Sequence, residues 1–121
     1  MLIRGYPGTD HKINNGIYGQ TPEGENFLVI GHEALARVAN LGENVKDFSV
    51  GDLVVPTVRR PCPENCANCE MGEISMCLTG NYLEHGIIKL HGFASDFAIC
   101  DSRFIVKVPK NLKKQQFYWN L

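Results

Sequence analysis

Residues Arg60 to Cys77, RPCPENCANCEMGEISMC, hold four of the five cysteines in a chain of 121 residues. Their use decides what kind of scaffold surrounds them. Cys62, Cys66, Cys69 and Cys77 are spaced C-x3-C-x2-C-x7-C. Gaps of two or three residues let successive thiolates turn inward on one centre, and the longer arc supplies a fourth corner of a tetrahedron. Pro63, Glu64, Asn65, Asn68, Glu70 and Glu73 lie between them, too polar for a set of ordinary core thiols. A structural zinc fits best. An iron-sulfur centre fits less well, since the x7 gap departs from the tight bacterial ferredoxin run, and disulfides or free thiols fit no better. A closed four-sulfur set leaves a metal no open position, so the site supports a loop rather than carrying out chemistry.

Outward from this stretch, residues 59–92 are polar, rich in turn formers and poor in apolar periodicity. They read as a loop lobe standing on a β scaffold. The scaffold comes from short runs rich in Val, Ile and Phe, bounded by Gly, Pro, Asn and Asp. FLVI (Phe27 to Ile30), ALARVANL (Ala34 to Leu41), DLVVPTV (Asp52 to Val58), DFAIC (Asp96 to Cys100) and RFIVKV (Arg103 to Val108) are the expected strands. Leu35, Val38 and Leu41 also fit a helical period, and the Gly and Asn around them favour a strand. Cys100, next to Ile99, is expected to be a small core residue. Residues 110–121, KNLKKQQFYWNL, read as a divergent tail.

Length and charge narrow the function. One small domain is all that 121 residues with 44% hydrophobic content can close. Twelve basic side chains against 13 acidic ones leave no positive excess to collect nucleic acid or a membrane surface. The opening MLIRGYPGTD has neither an apolar signal core nor a cleavage pattern, and no run is long enough to cross a bilayer. A cytoplasmic location is expected, where clustered cysteines serve as metal ligands more often than as disulfides.

GHEALARVANLGENV (Gly31 to Val45) resembles the Gly-His-Glu signature of zinc-dependent medium-chain alcohol dehydrogenases, with Ala36 where that signature prefers Gly. GDLVVPTVRRP (Gly51 to Pro61), the cysteine lobe and HGFASDFAICDSRFIVKVP (His91 to Pro109) follow in the family's order. With PEGENFLVIGHEAL (Pro22 to Leu35), the chain is most similar to the archaeal glucose dehydrogenase branch, within carbohydrate metabolism. The resemblance implies a mainly β fold, a GroES-like partly open β-barrel with a structural-zinc loop lobe. Residues 1–109 would be a partial GroES-like catalytic domain, and 59–92 its zinc lobe. The implied activity is NAD(P)-dependent glucose 1-dehydrogenase, hydride passing from sugar C1 to nicotinamide while a second, catalytic zinc polarises the substrate oxygen.

The resemblance also implies residue roles. Cys62, Cys66, Cys69 and Cys77 hold the structural zinc, although the family's first gap is x2 and here it is x3. If the loop does not absorb the extra residue, the other three would need an outside ligand, water or Glu64. His32 and Glu33 take the place of catalytic zinc ligands. Thr9 matches a hydroxyl that contacts substrate, Glu84 a carboxylate that contacts sugar hydroxyls, and Asp10 a structural acceptor. Pro7 stands where the family places a metal-binding cysteine and offers no donor, so the catalytic zinc site is incomplete. His11, His85 and His91 have no partner set in sequence and are expected at the surface or in hydrogen bonds.

The dinucleotide fingerprint Gly-x-Gly-x-x-Gly does not occur in these residues, so the Rossmann domain is lacking and no cofactor site is expected. The family's opening strands precede the counterpart of Met1, and their loss would expose sheet edges and favour self-association. The expectation is a truncated copy, inactive by itself. The competing expectation is a non-enzymatic zinc-binding remnant or interaction module.

Overall fold

The computed structural model describes residues 3–4, 12–13, 16 and 18–112. Among them the architecture is mainly β. Strand β1 (Ile3–Arg4), β2 (Ala34–Arg37), β3 (Leu53–Pro56) and β7 (Ile105–Lys107) form a four-stranded antiparallel sheet in the order β1-β2-β3-β7. A second sheet joins β4 (Arg59–Arg60), β5 (Leu83–His85) and β6 (Lys89–Leu90), with β4 antiparallel and β6 parallel to β5. Between β4 and β5 lie the short helix α1 (Ala67–Glu70) and a 3-10 turn, Ile74–Met76. No described helix is long and apolar enough to cross a membrane.

The strand reading of Ala34 to Leu41 holds for its first half. Ala36 pairs with Val54, and Val54 pairs in turn with Lys107, which sets the register of the sheet. In β3 the alternation is clear: Val54 and Pro56 are buried, Leu53 and Val55 less so. Ala34, Leu35, Val54, Ile87, Phe93 and Val108 make up the apolar core, with Phe93 only 1% exposed.

The chain changes sheets between Pro56 and Arg59, and that corner is tied down. Thr57 donates its N–H (2.8 Å) and its hydroxyl (2.9 Å) to the Phe104 carbonyl. The buried Arg60 guanidinium donates to the Thr57 carbonyl at 2.9 Å and lies over the Phe104 ring at 4.5 Å. The link between β3 and β4 is thereby anchored to Phe104, immediately before β7, fixing the angle at which the lobe leaves the sheet.

Two expected strands are corrected. Phe27 to Ile30 forms no regular ladder, because its partner segment, residues 91–94, binds it through mixed contacts. Gly92 N–H donates to Val29 O (2.6 Å) and Ala94 N–H to Ile30 O (3.0 Å), while the Val29 N–H goes to a side chain, Nδ1 of His91, at 3.0 Å. Asp96 to Cys100 is not a strand either. Phe97 is 80% and Ile99 97% exposed, so Cys100 is half-buried beside an uncovered stretch instead of lying in a core strand. RFIVKV divides into a 3-10 turn, Ser102–Phe104, capped by Asp101, and then β7.

Candidate metal centre and its surroundings

The four lobe cysteines converge. Their sulfur atoms all lie within 4.8 Å of one another, with Cys62 and Cys69 buried and Cys66 and Cys77 half-buried. The extra residue between Cys62 and Cys66 is absorbed locally. Asn65 adopts φ 48°, a left-handed conformation that asparagine tolerates better than most residues, and its N–H closes a turn onto Cys62 O at 2.9 Å. The turn brings the Cys66 N–H to 3.3 Å from the Cys62 sulfur. Glu64 is therefore not needed as a ligand: its Oε1 accepts from Asn81 Nδ2 at 2.7 Å.

The electrostatics also suit a cation. Cys66 is held below the usual thiol range by backbone N–H groups of Cys69 and Leu78, the latter 3.4 Å from its sulfur. The Thr79 hydroxyl, with its own and Gly80's backbone N–H groups, lowers Cys77 to about 6. Cys69 goes the other way. A backbone contact at Cys62 favours its thiolate, but burial and the three neighbouring sulfurs outweigh it and push the thiol up to about 12. Sulfurs this close cannot all carry charge together without a cation between them. A divalent ion would satisfy all four, and the donor set, soft and tetrahedral in number, fits zinc. Uptake of the ion should expel protons, as thiolates replace thiols.

His32 and Glu33 lie elsewhere, half-buried just before β2. Among the described residues no third His, Cys, Asp or Glu joins them to form a ligand group. Pro7, Thr9, Asp10 and His11 lie outside the described residues, as does the tail from 113 on. Glu84 sits in β5, 7% exposed, opposite Arg59 in β4. Arg59 Nε donates to its Oε1 at 3.0 Å, and the guanidinium lies 4.9 Å over the Tyr82 ring.

A junction that sequence reasoning missed lies between the segments that carry His32 and Glu84. Gly31, Gly86 and Gly92 meet backbone to backbone there. A Cβ on Gly86 would fall 2.6 Å from Gly31 O, and one on Gly92 would strike the same oxygen. His91 ties the junction together. Its Nδ1 accepts from Val29 N–H, its Nε2–H donates to Glu25 at 2.6 Å, its carbonyl accepts from His85 Nδ1–H at 2.7 Å, and its ring stacks on Phe27 with centroids 4.8 Å apart. These bonds fix the neutral Nε2–H tautomer of His91. The signal available in sequence was three glycines and two histidines flanking the expected strands, which no spacing rule connects.

His85 gives a pH dependence with a definite sign. Burial, reinforced by the Arg60 charge, holds its imidazole below the ordinary 6.5, partly offset by the hydrogen bond to His91 O. The unfolded chain therefore takes up the proton more readily than the folded one. The stabilisation is complete above 6.5 and is lost as pH falls through the lowered folded-state value. Urea midpoints across this window should decline toward acid, and His85→Gln should flatten that part of the decline. An unchanged slope in His85→Gln would contradict the assignment.

Fold and site together define a mainly β, two-sheet domain carrying a cluster of four convergent cysteines. The chain belongs to the alcohol dehydrogenase GroES-like domain family, whose model matches residues 3–110. It is similar to glucose 1-dehydrogenase of Thermoproteus tenax, 51% identical over 112 residues that cover 93% of this chain and 30% of that enzyme. Glucose 1-dehydrogenase 1 of Vulcanisaeta moutnovskia is 51% identical over 106 residues, 88% of this chain and 29% of that one. Among solved structures, Haloferax mediterranei glucose dehydrogenase in complex with NADP, zinc and gluconolactone matches with a TM-score of 0.79 and 38% identity, covering 88% of this chain and 30% of that one. The chain thus spans about 30% of the length of the relatives it matches.

Proposed function

We propose that these residues form the catalytic-domain part of a zinc-dependent, NAD(P)-linked glucose (aldose) 1-dehydrogenase. The observation that carries the reading is the convergent cysteine set on a GroES-like scaffold whose relatives are glucose dehydrogenases. Residues 1–109 serve as the barrel portion, with the zinc lobe at 59–92 and a divergent tail at 110–121. Zinc held by Cys62, Cys66, Cys69 and Cys77 organises the lobe. His32 and Glu33 mark the catalytic metal position, where a bound ion supplies Lewis-acid polarisation of the substrate oxygen. Glu84, its carboxylate oriented by Arg59, accepts from sugar hydroxyls, and Thr9 adds a hydroxyl contact. The cytoplasm is the proposed location. Self-association through the uncovered Phe97 and Ile99 is part of the same reading.

A second reading, a zinc-binding module without activity, is favoured by Pro7, which gives the His32 and Glu33 pair no third donor. Two measurements separate and test these. Metal analysis after mild chelation should find one zinc per chain, since among the described residues only the lobe offers a complete ligand set; two tightly held ions would mean a competent catalytic site. Glucose titrated into isotope-labelled protein should shift amide signals around Glu84 and His85, and Glu84→Ala should remove the response. Silence in the unsubstituted chain would favour the module.

A further inference from the structure

We propose that Glu64, Asn81 and Thr79 form a hydrogen-bonded clasp that positions Cys77 and sets how long the four-cysteine site keeps its metal. The inference rests on the reading of that site as a zinc centre. Cys62, Cys66 and Cys69 lie within one tight turn and the adjoining helix α1, so local backbone geometry fixes them together. Cys77 comes from farther along the chain, after the Ile74–Met76 turn, and needs other restraints. One lies before it: Asn68 Nδ2 donates to Met76 O at 2.7 Å.

The clasp lies after it. Asn81 Nδ2 donates to Glu64 Oε1 at 2.7 Å, reaching back to the turn between the first two ligands. The backbone N–H of Asn81 donates to Thr79 Oγ1 at 3.2 Å, and that hydroxyl is 3.5 Å from the Cys77 sulfur. A metal-bound Cys77 is a thiolate with no hydrogen to give, so in the loaded site the Thr79 hydroxyl is the donor to its sulfur. An unbroken chain of polar contacts therefore joins the turn of the first two ligands to the last ligand, through three side chains that are not themselves ligands.

Such outer partners orient a ligand and stabilise its charged form, and removing one typically costs 10–100-fold in metal affinity. Loss of metal begins when one ligand lets go. The ligand with the fewest local restraints, Cys77, is the one whose escape the clasp opposes, so the effect should fall on the dissociation rate.

The test uses the full chain loaded with one zinc and then mixed with excess chelator, with release followed over time. Thr79→Val, which keeps the shape but loses the hydroxyl, and Glu64→Ala should each release zinc about tenfold faster. Thr79→Ser and Glu64→Gln keep the needed oxygen and should retain the original rate. With cobalt in place of zinc, Thr79→Val should also shift the thiolate-to-metal charge-transfer bands, which a merely structural role would leave in place. If the unsubstituted chain takes up no stoichiometric zinc, the zinc reading itself fails. If it holds zinc and both Thr79→Val and Glu64→Ala release it at an unchanged rate, the clasp alone is overturned.

Discussion

Gly92→Ala should leave little or no folded protein. A Cβ at this position would lie 2.6 Å from Ile30 O and 2.7 Å from Gly86 Cα, and closer still to Gly31 O. All three are backbone atoms, so no side chain can swing aside to make room. Overpacking against side chains costs about 1–3 kcal/mol, and a clash with fixed backbone on several sides costs more, against a total of only about 5–15 kcal/mol for a typical domain. The clash also parts Gly92 N–H from Val29 O and disturbs the bonds His91 makes on either side. Soluble yield and urea unfolding are the measurements. Gly42→Ala is the control, since the added Cβ there meets only Val45 Cγ2 at an ordinary 3.7 Å. A Gly92→Ala protein as stable as Gly42→Ala would mean that the three backbones do not meet as described.

Cys69→Ser should abolish tight metal binding and open the lobe while leaving the four-stranded sheet intact. Cys69 is buried among the other three sulfurs, and its serine replacement offers a poor ligand at the centre of that set. Apparent binding free energies of structural zinc in small peptides are about 10–16 kcal/mol, and in such sites that energy holds the loop together. The cysteine-bearing stretch, residues 62–78, has little else, since α1 is one turn long and Met71, Met76 and Leu78 are exposed. Zinc per chain should fall from one toward zero, and limited proteolysis should cut within residues 59–92. Strand signals of β2, β3 and β7 should persist, because their pairing and the two hydrogen bonds from Thr57 to Phe104 O are made outside residues 59–92. Wild-type zinc content in Cys69→Ser would contradict the ligand assignment.

Much of this was legible in the sequence, for reasons that differ by element. β2, β3 and β7 could be read because short apolar runs bounded by turn formers favour strands, and in β3 the alternate burial of Val54 and Pro56 shows one face turned to the core. The cysteine cluster was legible because short gaps in a polar segment leave few uses for four thiols. DFAIC misled because its apolar residues suit a strand face, while Phe97 and Ile99 remain uncovered among the described residues. FLVI misled for another reason: a histidine ring takes the place of a backbone carbonyl in its pairing, and periodicity carries no record of a side chain substituting for a ladder bond. The odd C-x3-C gap became intelligible only with Asn65 in a left-handed turn, and the burial of Glu84 only with Arg59 opposite it.

The most direct test of the zinc centre is X-ray absorption at the zinc edge on protein loaded with one equivalent of zinc. A single shell of four sulfur scatterers at about 2.3 Å is the expected result, with no lighter atom in it. A shell of three sulfurs and one oxygen or nitrogen would show that one of Cys62, Cys66, Cys69 and Cys77 stands outside the site, and a shell without sulfur would contradict the account of the lobe altogether.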